Sequence, residues 1–203
     1  MSAAERVREV YERWAPSYDL GQWLPERVLI APLRRRLLSR TRGKVLEVGI
    51  GTGANLLFYP RACPVVGVDL SRSMLERALA RAYRFGLTLT VDTMDAEALA
   101  FPDRTFDTVV STLTLCTTPD PVRLLREMGR VCVPGGHILL LEHGLGTAPV
   151  VNWILCRLAR GQLTRCACHL ARDVADLPVQ AGLRVLDQKR HLWGVLVLTE
   201  AAP

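Results

Sequence analysis

Apolar residues at the start of the chain recur with helical spacing. Val7, Val10 and Trp14 stand three or four residues apart, which predicts an amphipathic helix with one apolar stripe. Proline and glycine residues in the stretch 15–25 predict a break after that helix. Pro32 then predicts the first turn of a further short helix, because its fixed φ and missing amide suit that position.

From residue 44 onward, short apolar runs alternate with longer amphipathic stretches. The predicted strands are KVLEV, PVVGVD, LTLTV, FDTVVST and HILLLE, followed by LRVLDQKR and HLWGVLVLTE near the end. The predicted helices begin at about Ala54, at Ser71 as an N-cap with Gly86 as a stop, and at PDPVRLLREMGRV. Continuous apolar strands between helices indicate a parallel sheet covered on both faces. The sequence therefore predicts an α/β fold with a doubly wound, mostly parallel seven-stranded sheet.

The pattern indicates a single domain, 1–203, with four regions. Its 203 residues, 49% of them hydrophobic, suffice for one well-buried core and are few for two catalytic domains. Residues 1–42 form the predicted N-terminal helical cap, 43–143 the cofactor-binding core, and 181–203 a C-terminal strand pair. Residues 144–180 lie outside the alternation of strands and helices and are interpreted as a helical lid insertion.

The charge distribution and the N-terminal sequence bear on the partners and the cellular location of the protein. The formal charge is +6, the stretch 27–44 has seven basic residues and no acid, and the stretch 143–172 also lacks Asp and Glu. Such stretches usually form a solvated helix face, but they also suit an anionic substrate or a peripheral contact with an anionic membrane. A charged N-terminus without a long apolar run predicts a cytoplasmic protein. The sequence contains no nucleic-acid-binding motif, so no nucleic-acid partner is expected.

A glycine-rich segment, EVGIGTG, follows the first predicted strand and raises the question of which nucleotide it binds. Gly49 and Gly51, with Asp69 twenty residues beyond Gly49 at the end of the second strand, fit a dinucleotide fingerprint. On the glycines alone, a nicotinamide-dependent oxidoreductase is therefore allowed. A P-loop is excluded because no Gly-Lys-Ser/Thr follows.

Carboxylates around this segment favour a different ligand. Glu47 stands directly before the glycine loop, where a buried carboxylate suits a cationic group and disfavours a pyrophosphate. Gly53 extends the loop to three alternate glycines. Asp95 follows the third predicted strand, where it can accept a hydrogen bond from an adenine amino group. S-adenosylmethionine carries an ammonium and a sulfonium and no phosphate, so it fits these residues better than a dinucleotide does.

Four motifs, EVGIGTG, VVGVDLS, MDAEALAFPDRTFD and LLREMGRVCVPGG, together resemble class I S-adenosylmethionine-dependent methyltransferases of the type 11 group. The resemblance runs from about Tyr11 to the C-terminus and implies a Rossmann-like methyltransferase fold with S-adenosylmethionine as cofactor. Within the group, LEVGIGTGANLLFYP, PGGHILLLEHG and ACHLARDV are similar to animal thiol S-methyltransferases, although Ala167 and His169 replace a glycine and an asparagine of those enzymes. The opening YERWAPSYD is instead similar to bacterial phospholipid and quinone methylases.

The resemblance also assigns residues to the cofactor. It implies that the loop glycines surround the methionine part, with Glu47 near the ammonium and Asp69 on the ribose hydroxyls. It assigns Asp95 and Ala96 to adenine, and an N-cap is the alternative role for Asp95. Tyr18 is expected to close over the cofactor from the N-terminal helices. The full predicted set is Tyr18, Glu47, Gly49, Gly51, Gly53, Asn55, Asp69, Leu70, Met74, Asp95, Ala96 and Thr112.

The catalytic candidate is His143. It follows the fifth predicted strand at the carboxyl edge, where open α/β sheets bind ligands, and can act as a general base near neutral pH. A structural histidine is the alternative. A thiol acceptor would need no base, because it is already partly ionised near neutral pH.

Substrate-binding residues are predicted after the fourth strand and in the lid, namely Cys116, Trp153, Cys168, His169 and Arg172. The apolar stretch VVNWILCRLAR is expected either to wall an apolar pocket or to contact a membrane interface. The six cysteines are expected to be free thiols. No metal site is predicted, because the CACH segment lacks a second ligand pair at a recognisable spacing.

The sequence thus predicts an enzyme that transfers a methyl group from S-adenosylmethionine to a small lipophilic acceptor, with a thiol as the leading choice. Methylation of a phospholipid amine of the phosphatidylethanolamine type, or of a quinone precursor, is the alternative within the class. A nicotinamide-dependent oxidoreductase and a cofactor-binding module without catalysis stay open as other classes. The motifs do not fix the acceptor atom or the oligomeric state.

Overall fold

A computed structural model describes residues 2–203, which form one seven-stranded sheet with its flanking helices. The strands are β1 (Val45–Val48), β2 (Val65–Asp69), β3 (Leu89–Thr93), β4 (Phe106–Thr112), β5 (Cys132–His143), β6 (Arg184–His191) and β7 (Leu196–Ala202). They lie in the order β3-β2-β1-β4-β5-β7-β6. Neighbours among β1 to β5 are parallel, whereas β7 runs antiparallel to both β5 and β6. The predicted doubly wound, mostly parallel sheet is confirmed.

Seven α-helices connect and cover the strands in the described residues. They are α1 (Ala3–Trp14), α2 (Tyr18–Pro25), α3 (Ala31–Leu38), α4 (Arg72–Arg84), α5 (Pro121–Val131), α6 (Pro149–Cys166) and α7 (Leu177–Gln180). The predicted limits of α4 are confirmed, since Ser71 Oγ accepts from the Met74 amide at 3.2 Å and Gly86 follows the helix with φ +63°. Asp120 caps α5 in the same way.

The sheet is buried between two hydrophobic clusters. On one face, Leu124 and Met128 of α5 pack against strand residues with no solvent exposure. On the other face, Leu38 of α3 and Ala78 of α4 cover the same strands. All four residues of β1 are buried, including Glu47. This two-sided cover explains why the central strands have continuous apolar sequences.

The predicted break after the first helix is confirmed, because α1 ends at Trp14, but residues 15–25 take up other helical turns. A 3₁₀ turn (Ala15–Ser17), α2 and a π-helical segment (Glu26–Ile30) join α1 to α3. Pro16 occupies the first turn of the 3₁₀ segment, where its missing amide would have no helical partner in any case. A capping box between Ser2 and Glu5 starts α1.

The predicted helix from about Ala54 is wrong. Turns and a single 3₁₀ segment (Leu56–Phe58) follow the glycine loop instead. Gly51 and Gly53 have φ of +55° and +78°, outside the helical region, and the Asn55 amide group donates to Glu47. The third strand also begins two residues later than predicted, at Leu89.

A helix is present within the predicted insertion at residues 144–180. This helix, α6, packs against α1 and ends at Cys166, and Ala167 after it has a left-handed φ of +52°. Its side chains Val150, Trp153 and Leu158 are largely exposed. Among residues 2–203, none of the helices has the length and apolarity that a membrane crossing requires.

Candidate active site

A cavity opens at the carboxyl edge of the sheet, near the point between β1 and β4 where the strand order reverses. Open α/β sheets bind ligands at this switch point. The cavity encloses about 930 Å³, including the space at its mouth, and is walled by the glycine loop, the loops after β2, β3 and β4, and the N-terminal helices. Its walls include ten of the predicted cofactor residues, namely Tyr18, Glu47, Gly49, Gly51, Asp69, Leu70, Met74, Asp95, Ala96 and Thr112.

The three loop glycines have different surroundings. A Cβ atom on Gly49 would lie 2.3 Å from Thr114 Oγ1, so this glycine allows the loop to touch the segment after β4. A Cβ atom on Gly51 would meet nothing within 4 Å, because this residue faces the cavity. Gly53 does not line the cavity, and its Cβ position lies 2.6 Å from Leu56 Cδ1. Gly53 therefore serves the packing of the loop.

Glu47 is the centre of a buried hydrogen-bond network. Its Oε1 accepts from Asn55 Nδ2 at 2.8 Å, and its Oε2 accepts from the Tyr59 hydroxyl at 2.9 Å. Burial raises the pKa of Glu47 to about 7, despite these two donors. Asn55 is fully buried behind Glu47 and does not line the cavity. A positively charged ligand above Glu47 would favour the ionised carboxylate.

Arg34 completes this Glu47 network, and sequence reasoning missed it. Its Nη1 donates to Asn55 Oδ1 at 2.8 Å and to Thr112 Oγ1 at 2.5 Å, while its Nε donates to Glu26 Oε1 at 2.7 Å. Arg34 is 5% exposed, although it stands in the basic stretch interpreted as a solvated face. The sequence signal that could have identified Arg34 as buried is its position one turn before Leu37 and Leu38, on the same face of α3.

Two aspartates shape the loops after β2 and β3. Asp69 Oδ2 accepts from the Gly51 amide and Oδ1 from the Ser71 amide, both at 2.9 Å. Burial raises the pKa of Asp69 above its usual value, although these backbone donors oppose the shift. Asp95 Oδ1 accepts from the Glu97 amide at 2.9 Å, in a turn and not at a helix start.

Two tyrosines from the N-terminal region close one side of the cavity. The rings of Tyr11 and Tyr18 lie 6.1 Å apart between centroids, and both residues line the cavity. Burial raises the pKa of Tyr18 to about 12 and that of Tyr11 well above its usual value. Both phenols are therefore protonated at neutral pH and can donate hydrogen bonds.

These residues fit an adenosine sulfonium cofactor. Glu47, Asp69, Asp95 and Glu97 place four carboxyl groups on the cavity wall, which disfavours a pyrophosphate. Arg8 and Arg34 also reach the wall, and Glu26 pairs with the Arg34 guanidinium. The open space over Gly51 leaves its backbone accessible to a ligand.

The predicted catalytic residue lies elsewhere. His143 does not line the cavity, and its Nε2 is 3.4 Å from Cys168 Sγ. Cys116 joins this pair, and the three ligand-type atoms all lie within 4.8 Å of one another; we call Cys116, His143 and Cys168 the thiol cluster. Burial lowers the pKa of His143, but the contact with Cys168 and the nearby Glu142 and Cys166 together outweigh this effect and raise the pKa above its usual value. Among residues 2–203, no partner is found for the buried His143 Nδ1.

The other predicted substrate residues also lie off the cavity wall. The His169 amide donates to the Cys116 carbonyl at 2.7 Å, and Arg172 Nη1 donates to the Leu115 and Thr118 carbonyls. Trp153 is 61% exposed on α6. The structure thus brings His143, Cys116 and Cys168 together, but beside the cavity and not on its wall.

Comparison with known proteins gives a consistent set of relatives. Residues 46–140 match the family described as methyltransferase domain. The phosphatidylethanolamine N-methyltransferase of Cereibacter sphaeroides is 39% identical over 143 residues, which cover 68% of this chain and 68% of that protein. The thiol S-methyltransferase TMT1B of Mus musculus is 39% identical over 116 residues, covering 52% of this chain and 46% of that one. The chain therefore spans about half the length of this mouse relative.

Solved structures show the same fold. An S-adenosylmethionine-dependent methyltransferase of Thermotoga maritima superposes with a TM-score of 0.71 at 22% identity, covering 97% of this chain and 99% of that one. A second such enzyme, from Mesorhizobium loti, superposes with a TM-score of 0.65 at 19% identity, covering 85% and 96%. At these identities the likeness establishes the fold alone.

Proposed function

The chain belongs to the S-adenosylmethionine-dependent methyltransferases of the type 11 group, and from this premise we propose that it methylates a small lipophilic thiol. The cofactor supplies an electrophilic methyl group on a sulfonium. The task of the chain is to hold the acceptor in line with that methyl group and to exclude water. The observation that carries the choice of a thiol is the composition of the cavity wall.

The cofactor side of the cavity is assigned to its carboxylates. We assign Glu47 to the ammonium of the methionine part and Asp69 to the ribose hydroxyls. Asp95 and Ala96 are assigned to adenine. The burial of Glu47 and the backbone donors that orient Asp69 support these assignments, because both carboxylates are held in place before any ligand binds.

The acceptor side is assigned to Tyr11, Tyr18 and the segment 112–119. In the described residues, this wall carries hydroxyl and apolar groups and no histidine, lysine or carboxylate. The two phenols are protonated at neutral pH, and His143 lies outside the cavity. Such a wall offers no general base with a pKa near 7. A thiol fits because its own thiolate is the nucleophile and is populated near neutral pH.

A phospholipid amine is the second candidate, and the surface of α6 favours it. Trp153, Ile154 and Leu158 are exposed on this helix, and Arg157 lies over the Trp153 ring at 5.1 Å. An exposed apolar face next to arginines suits the interface of an anionic membrane. The likeness to the phosphatidylethanolamine N-methyltransferase supports the same alternative.

A methyl-transfer screen with labelled S-adenosylmethionine tests the acceptor. Alkyl thiols of increasing chain length, phosphatidylethanolamine vesicles, amines and phenols are compared at equal concentration, and products are identified by mass spectrometry. We expect labelled methyl thioethers, with kcat/KM rising with chain length. The matched controls are the S-methylated thiols, which cannot form a thiolate and should accept no label. Preferred labelling of the phospholipid would replace the thiol by the second candidate.

Vesicle sedimentation tests the membrane alternative independently. If α6 binds lipid, Trp153→Ala should reduce binding to vesicles of phosphatidylglycerol and phosphatidylcholine at low salt. Tyr83→Ala is the control, because Tyr83 is also exposed, on α4. Equal binding of both variants and the wild type would remove α6 from any membrane contact.

A further inference from the structure

We propose that the thiol cluster, Cys116, His143 and Cys168, is a binding site for a soft divalent cation such as Zn²⁺. The three side chains come from the loop after β4, the end of β5 and the loop after α6. Their Sγ and nitrogen atoms all lie within 4.8 Å of one another. Two thiols and one imidazole are a common donor set for zinc.

The distances suit a tetrahedral ion. Bond lengths typical of Zn–S and Zn–N place two ligands of a tetrahedral zinc about 3.5 Å apart. Cys168 Sγ and His143 Nε2 are already 3.4 Å apart. Cys116 is 2% exposed and Cys168 8% exposed, so the two sulfurs are shielded from bulk water. Closing the remaining distance needs only small side-chain movements.

Backbone contacts hold the three segments together without the cation. The His169 amide donates to the Cys116 carbonyl at 2.7 Å, and the Leu145 amide donates to the Arg172 carbonyl at 3.0 Å. A Cβ atom on Gly144 would lie 2.1 Å from the Arg172 oxygen, so the glycine after His143 permits this close approach. The ligands are therefore preorganised by the fold, which lowers the entropic cost of binding.

The hydrogen bonding of His143 also favours a ligand at this position. In the described residues, its Nδ1 is buried without a partner, and its Nε2 faces only a thiol, which is a weak donor. A buried ring nitrogen without a hydrogen-bond partner costs free energy. A metal–nitrogen bond at Nε2 would offset that cost. Three protein ligands leave one tetrahedral position for water or an external thiol.

Cation titration of the reduced protein tests the proposal. Co²⁺ should bind with a stoichiometry of one per chain and give the intense visible and thiolate charge-transfer absorption of a tetrahedral site. Zn²⁺ should displace it, and binding should release the protons of the two thiols. Cys116→Ser and Cys168→Ser should each lose the charge-transfer band. Cys156→Ser is the matched control and should keep it, because Cys156 is exposed on α6.

Binding of S-adenosylmethionine is measured on every variant to show that it is folded. A wild-type protein that binds no Co²⁺ or Zn²⁺, or an absorption band that survives Cys168→Ser, overturns the proposal. A rise in the thermal midpoint with Zn²⁺ that is lost in Cys116→Ser and kept in Cys156→Ser supports it. No acceptor is present in these experiments, so their outcome is independent of the proposed thiol methylation.

Discussion

A buried glutamate and a half-buried histidine stand at the carboxyl edge of the same sheet, and their surroundings differ. Both oxygens of Glu47, in β1, accept hydrogen bonds, from Asn55 and Tyr59. His143, at the end of β5, has one nitrogen against the Cys168 thiol and the other without a partner in residues 2–203. Both carboxylate oxygens of Glu47 therefore have hydrogen-bond partners in the described residues, whereas one ring nitrogen of His143 has none.

This difference indicates how each region stays in place. A fully hydrogen-bonded buried network fixes the conformation of its loop, so the cavity wall near Glu47 is rigid before a ligand binds. The thiol cluster is held mainly by backbone contacts of the loops that carry it. Substitutions in the first region should therefore be costly to the fold, and substitutions in the second should mainly affect what the cluster binds.

Gly49→Ala is expected to have the largest effect on stability, because it disturbs the glycine loop next to the Glu47 network. Its φ of +69° and the 2.3 Å approach of Thr114 Oγ1 leave no room for a methyl group. We expect a loss of about 4 kcal/mol in the free energy of unfolding, from left-handed strain and overpacking. Chemical denaturation measures it. Gly21→Ala is the control, because this helical position has open space; equal stability of both variants would contradict the prediction.

The parts of the site that could be predicted from the sequence are local. Glu47, Gly49 and Gly51 stand in one short segment, and Asp69 follows the next strand, so their common position at the sheet edge follows from the parallel topology. The wrongly predicted helix after the loop has a different cause. The positive φ of Gly51 and the use of the Asn55 side chain by Glu47 are tertiary features that helical propensity does not register.

The remaining parts depend on contacts between distant segments. Arg34 reaches Thr112 from another element, and its sequence neighbours Arg35 and Arg36 are exposed. Composition alone could not separate the buried arginine from the other two. Likewise, the thiol cluster unites residues 116, 143 and 168, which lack the close spacing of a recognisable metal motif. Its assembly requires the path of the chain after α6, which strand alternation does not determine.

Arg34→Met should have the next largest effect. It removes the guanidinium that joins Glu26 to Asn55 and Thr112, leaving buried acceptors without their donor. We expect a loss of about 3 kcal/mol in unfolding free energy and weaker S-adenosylmethionine binding. Calorimetry and denaturation measure the two quantities. Arg36→Met, at an exposed position of α3, should change neither; a similar loss there would mean that the network is not the cause.

The pH dependence of the free energy of unfolding gives a further test of the Glu47 network. Burial raises the pKa of Glu47 to about 7, above its value in the unfolded chain. The folded protein therefore binds more protons, so its stability is highest below the unfolded pKa and falls as pH rises through about 7. In the cofactor-free protein, Glu47→Gln should reduce this pH-dependent loss of unfolding free energy by about 2 kcal/mol. Denaturation at a series of pH values checks it, and parallel profiles for both proteins would refute it.

His143→Gln should have the smallest effect, because His143 belongs to the thiol cluster, in which its hydrogen bonding is incomplete. The side chain is off the cavity wall and has few hydrogen bonds to lose. In chelator-treated protein, kcat/KM for an alkyl thiol should change by less than about threefold at every pH, whereas loss of a general base would cost a factor of about 100 or more. A large loss that grows as pH falls would instead place His143 in proton transfer. Glu47 and His143 would then both belong to the methyl-transfer site.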